Sequence, residues 1–352
     1  MQNLKKIKVY LILTVLFLTS AIYYPKDLFA ESKKNLPSEL DAYFTAGCPN
    51  LGNNLSEKTS SILGLTKKRE IYAAFLANGQ TRIHIAAICG VTEAIPVLLS
   101  EGENINSPDN LGQTPLHLAT MYGHIQTIKY LLQHKANVNL LTDPNHFIDG
   151  LAPIHFAAIY GNRNIISALV RSGSDINHAT SVEKMTPLHL AALFNRVDII
   201  DALLKHGADS KITDARGYTP LQKAVSISNL ATIKKLVATG SNINVNIIKG
   251  NITYSLLHLA VTSTDTSAEI VQFLIDQGID VNIRDNHFGT PLHSCITNEN
   301  VNMAALKVLI KNGADLKATD VSGNTPLHFA KSMGNTEVIK ILEMNLIPLN
   351  AS

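Results

Sequence analysis

Apolar residues in this chain arrive in short paired bursts at helical spacing, with turn residues between and after them. In the block from Asp109 to Asn139, Leu116, Leu118 and Ala119 make the first burst. Ile128, Leu131 and Leu132 make the second and share one helical face. Asp109-Asn110-Leu111-Gly112-Gln113 reads as a turn, with Gly112 free to take a positive φ. Thr114 is placed to cap the first helix through its hydroxyl, and Pro115 to stand at the first helical position, where no N–H is needed. Tyr122-Gly123-His124 breaks the helix, with Gly123 at the C-terminal cap. Lys135-Ala136-Asn137-Val138-Asn139 leads into the next turn. Neither helix can bury its apolar face inside one block, so neighbouring blocks must bury it.

The block recurs. Thr-Pro-Leu-His stands at Thr114–His117, Thr186–His189, Thr290–His293 and Thr325–His328. Degenerate copies begin at Thr81, Ala152, Thr219 and Ser255, and the eight starts are separated by 33, 38, 34, 33, 36, 35 and 35 residues. With this period and motif the chain resembles the ankyrin-repeat family over roughly Ile71 to Met344. The resemblance implies an all-α solenoid of stacked helix-turn-helix units with β-hairpin-like finger loops, occupying residues 67–352. Longer fingers are expected at Leu141–Ile148 and Ile247–Ile252, and longer links between helices around Thr264–Ser267 and Asn298–Asn300. Such lengthening costs little entropy and need not be functional. Arg69–Gly79 reads as half a repeat capping the N-terminal end, whereas Leu346-Ile347-Pro348-Leu349 is apolar where an array should turn polar. That tail either folds back over the last helix or offers an apolar edge to a partner.

The first thirty residues have another character. Lys5, Lys6 and Lys8 precede an apolar run from Val9 to Tyr24 that Pro25 stops, the layout of a secretory signal peptide. Cleavage is expected after Ala30 or Ala21; uncleaved, the run would serve as a single-pass anchor. The expected location is therefore secreted or periplasmic, with membrane attachment only if the leader is kept. Residues 31–66 read as a linker or N-terminal extension. The whole chain carries 30 Lys and Arg against 28 Asp and Glu, and residues 1–30 hold four of the lysines and one acid. What remains, 26 basic and 27 acidic residues, is close to neutral and has no basic stripe interleaved with aromatics, which argues against a nucleic-acid partner.

Three cysteines, Cys48, Cys89 and Cys295, leave at least one free thiol. Cys89 and Cys295 read as small core residues, and only Cys48 with Cys89 is close enough in the repeat order to pair. Seven of the thirteen histidines, namely His84, His117, His155, His189, His258, His293 and His328, occupy the motif position. In ankyrin proteins that histidine makes structural hydrogen bonds to neighbouring turns, so the resemblance implies scaffold rather than metal here. Gln222 replaces it in the fifth copy and is expected to loosen that repeat.

No nucleophile elbow, phosphate-binding loop, dinucleotide fingerprint or HExxH pattern occurs, and no cofactor is implied. The expectation is a non-catalytic module for a protein partner. Ankyrin domains usually bind through the concave face of finger tips and first helices, and the residue before the inter-helix turn lies on it. Tyr122, Tyr160 and Phe194 hold that place in adjacent repeats, with Leu111, Gln113, Leu151, Met185 and Tyr218 on the fingers to flank them. The same rings would equally serve as packing against the next helix. A host-directed effector, a membrane-anchored periplasmic scaffold and a regulatory inhibitor of an enzyme remain as alternatives.

Overall fold

The computed structural model describes residues 78–144, 150–249, 251–262, 267–298 and 300–346. The expected leader, linker, N-terminal half-repeat up to residue 77, the tips of the 141–148 finger and the tail from Ile347 lie outside them, as does Cys48. The chain divides into two compact units, Met1–Val182 and Glu183–Ser352.

In the first unit helix pairs follow one another as α1 (Arg82–Cys89) and α2 (Ala94–Ser100), α3 (Pro115–Met121) and α4 (Ile125–Gln133), α5 (Pro153–Tyr160) and α6 (Arg163–Arg171). The second unit holds α7 (Pro187–Leu193), α8 (Val197–Lys205), α9 (Pro220–Ser226), α10 (Leu230–Ala238), α11 (Leu256–Thr262), α12 (Ala268–Asp276), α13 (Pro291–Ile296), α14 (Met303–Lys311), α15 (Pro326–Ser332) and α16 (Thr336–Leu346). Between α10 and α11 the lengthened finger becomes a hairpin of β1 (Ile247–Lys249) and β2 (Ile252–Tyr254), with Ile248 paired to Thr253 and Lys249 to Ile252. Helices of six to eleven residues are marginal alone, so packing makes them stable. Leu116, Leu188, Leu221 and Leu292 of the first helices are fully buried, as are Ala119, Ala191 and Ala224, whose small side chains admit the neighbouring helix. The second helices bury Ile128 and Leu131, Ile199 and Leu203, and the equivalent pairs.

One polar device recurs within each unit, tying a first helix to the finger that follows. The N–H of the capping residue donates to the motif histidine's Nδ1, at 3.0 Å for Thr114 and His117. The opposite nitrogen, Nε2, donates to a carbonyl at the following finger: His117 to Leu151 (3.0 Å), His155 to His178 (2.9 Å), His189 to Tyr218 (2.9 Å) and His258 to Gly289 (3.1 Å). An N–H can only donate and a carbonyl only accept, so the proton must sit on Nε2 and the ring must be neutral. Gln222 does not loosen the fifth repeat as expected. Its Oε1 accepts from Thr219 N–H at 2.8 Å and its Nε2 donates to Val245 C=O at 3.1 Å, reproducing both histidine bonds with an amide.

The fingers are closed by aspartates. Asp109 Oδ1 accepts from the N–H groups of Leu111 and Gln113, and Asp214, Asp285 and Asp320 do the same in their own turns. Neighbouring fingers join edge to edge. Asp143 N–H donates to Leu111 C=O (2.9 Å) in the first unit; Asn286 N–H donates to Thr253 C=O (3.1 Å) and Val321 N–H to His287 C=O (2.9 Å) in the second.

Burial pushes the motif histidines down, His117 and His189 to about 4, and His84, His258 and His293 in the same direction. A group whose pKa is depressed on folding stabilises the fold above its unfolded value, and that stability is lost as pH falls towards the folded value. Stability should therefore fall between pH 6.5 and 4, by up to about 3 kcal/mol for each of His117 and His189. Urea unfolding at pH 7.5 and pH 5 checks this: the midpoint should drop, and the drop should shrink in His117→Gln, which copies the Gln222 arrangement.

Candidate functional site

The aromatic residues proposed for recognition sit at the ends of first helices. Tyr122 caps α3 and Tyr160 ends α5; both are half-buried in the first unit. Burial pushes both phenols up to about 12, and for Tyr160 the nearby Tyr122 hydroxyl adds to the shift, so the two side chains are neighbours. The Tyr122 ring also stacks beside His124 at 6.4 Å between centroids, and His124 Nε2 bonds Ile88 C=O at 2.7 Å. These rings thus pack on the scaffold with one part and face solvent with the other. Phe194, half-buried at the end of α7, holds the same register in the second unit, where the left-handed Asn195 replaces the glycine.

The flanking residues divide. Leu111 and Tyr218 are half-exposed, whereas Gln113, Leu151 and Met185 are buried and do not belong to an accessible face. All three precede a capping residue, and from that position their side chains turn inward beneath the finger; the Gln113 amide finds no hydrogen-bond partner there. Tyrosines at this register are long enough to reach out. Tyr218 and Tyr254 stand hydroxyl to hydroxyl at 3.4 Å, and burial, then the bond to Tyr218, pushes the Tyr254 phenol up. Tyr254 escaped the sequence reading because its capping residue is Ser255 within the irregular Ser-Leu-Leu-His copy.

Beneath Tyr218 lies a buried ion pair. Lys223 stands where Leu118, Leu190 and Leu259 stand in other repeats, yet it is only 2% exposed. Its Nζ donates to Asp214 Oδ2 and lies 5.8 Å from the Tyr218 ring centre. The Asp214 carboxylate holds its own turn through Oδ1 and Lys223 through Oδ2, so the buried pair ties the finger to the first helix of its repeat.

Phe288 breaks the finger rule. In the fingers closed by Asp109, Asp214 and Asp320 the fourth turn residue is Gly112, Gly217 or Gly323, all left-handed; in Asp285-Asn286-His287-Phe288-Gly289 the glycine comes one place late. Phe288 takes the left-handed conformation itself, at φ +60°, with its side chain 55% exposed. The two bonds to Asp285 impose the turn's shape on a residue that disfavours it.

A family model for ankyrin repeats matches residues 53–142, 140–214, 198–285 and 257–350. The chain belongs to the ankyrin-repeat family. A comparison with curated proteins gives no match. Ankyrin repeats are protein–protein interaction modules and generally non-catalytic, consistent with a site made of aromatic and finger residues. Among the described residues, no group of three or more His, Cys, Asp or Glu side chains gathers to hold a metal ion, and no helix is long and apolar enough to cross a membrane. Both described cysteines are buried in first helices, as expected, and the one left open for pairing is the one that pairs. Cys295 is a free thiol that burial pushes up to about 12, as a core residue should be, but Cys89 is disulfide-bonded.

Two outcomes follow. Lys223→Leu alone leaves Asp214 buried without its cation and should cost about 3–5 kcal/mol, while adding Asp214→Asn, which keeps the acceptor oxygen for the turn, should recover most of it in denaturant unfolding. Phe288→Gly relieves the left-handed turn and should raise stability by about 1 kcal/mol; a loss instead would show that the ring packs on the fold.

Proposed function

We propose that this ankyrin-repeat chain is an exported, non-catalytic module that holds a protein partner against the face formed by its first helices and fingers. The observation that carries the reading is the paired, half-buried Tyr122 and Tyr160 at matching places in successive repeats, each anchored on the scaffold by part of its ring. Rings held this way lose little freedom on binding, the property of interface anchors. In the second unit Phe194 holds the same register, with Tyr218 as its half-exposed finger residue; Leu111 is the half-exposed finger residue of the first unit.

Export is supported by the lysine-led apolar run at Val9–Tyr24 and by the disulfide at Cys89, since disulfides persist in oxidising compartments. A host-directed effector and a membrane-held periplasmic scaffold share this route. The first requires cleavage after Ala30 or Ala21; the second keeps the leader as an anchor.

The test is a crosslinked pull-down with the native chain beside the Tyr122→Ala, Tyr160→Ala, Phe194→Ala triple variant. A protein captured only by the native chain, with cooperative unfolding kept in the variant, supports the reading. Equal capture by both moves the binding face away from these rings.

A further inference from the structure

We propose that the tips of three consecutive fingers in the second unit insert into the surface of a lipid bilayer. Each tip carries large apolar side chains in the open: Ile248 (66% exposed) and Ile252 (44%) on the β1–β2 hairpin, Phe288 (55%) on the next finger and Val321 (64%) on the one after. They stand on one continuous edge, because Thr253 C=O accepts from Asn286 N–H and His287 C=O from Val321 N–H. The Phe288 backbone is held in the left-handed conformation with its ring exposed at the tip.

Three features favour lipid over the groove of a partner protein. Ile248 pairs with Thr253 and Ile252 with Lys249, which places the two isoleucines on opposite faces of one narrow hairpin. A groove covers one face; an apolar medium surrounds both. The polar backbone of the tips is also largely satisfied from within. Asp285 Oδ1 takes the N–H groups of His287 and Gly289, Asp320 Oδ1 those of Ser322 and Asn324, and Arg284 Nη1 donates to the carbonyls of Phe288 (2.8 Å) and Thr319 (2.7 Å). Asn286 closes the gap to the hairpin, accepting from Thr253 N–H at 2.8 Å and donating to Asn251 C=O. Backbone groups already paired can leave water without the penalty that unpaired ones carry. Finally, Arg284 is set against Asp285 and Asp320 on the described tips, so they carry no excess of positive charge to select anionic headgroups. Insertion is driven by apolar burial and is weak and reversible, as for other shallow interfacial contacts.

The chain contains no Trp, so Phe288→Trp in the full chain gives a single reporter at the tip. On phosphatidylcholine vesicles its emission should shift to shorter wavelength, be quenched by bromine-labelled lipid and resist aqueous iodide, equally at low and high salt. Val182→Trp, at an exposed site in the first unit, shares the same N-terminal segment and should stay open to iodide. Ile252→Asp with Val321→Asp should abolish the shift at Phe288→Trp. An indole that remains iodide-accessible on vesicles carrying the protein overturns the proposal. So does shielding seen only with phosphatidylserine and lost in salt, or only when a protein partner is added.

Discussion

Most repeats depend on a neutral imidazole, and the fifth substitutes the Gln222 amide. The motif histidine accepts a hydrogen bond from the cap of its own helix and donates one to the finger of the next, so a single side chain fixes both where a helix begins and where its neighbour lies. The two bonds assign the proton to one nitrogen, and adding a second proton would aim an N–H at an N–H. Desolvation enforces the same state, since burial is the largest cause of the depressed values at His117 and His189. Local capping and contact between neighbours are therefore one interaction, which is why short helices persist here.

The fingers use a second principle. An aspartate carboxylate gathers two N–H groups of its own turn, and edge-to-edge hydrogen bonds then join one finger to the next. The loops are consequently well-formed parts of the fold. Recognition residues on them start from a fixed position, which lowers the entropy lost on binding. The half-buried tyrosines on the first helices share that property by a different route, being held by packing along part of each ring.

Much of the fold was legible because the histidine, proline and glycine positions each have one local job, and eight copies averaged out the exceptions. The lengthened step after the fifth copy correctly marked a longer finger, although its strand pairing required the partner strand to be in place. Gln222 looked like a defect because residue type alone hides that an amide offers the same acceptor and donor at similar reach. The face was less legible. Gln113, Leu151, Met185, Tyr218 and Tyr254 share one register, yet the first three are buried and the two tyrosines half-exposed, hydroxyl to hydroxyl. Lys223 was invisible as a buried residue because its partner, Asp214, lies nine positions earlier in a turn where aspartate is common.

The aspartate clasp also separates the shape of a finger from what the finger displays. It draws Phe288 into the same left-handed turn as Gly112, Gly217 and Gly323, although one is a bulky ring and the others have no side chain at all. Tip residues can therefore be exchanged with little disturbance to the helices beneath. A lineage built on this plan can rewrite its contact surface one loop at a time, at the cost of a small local strain rather than a new fold.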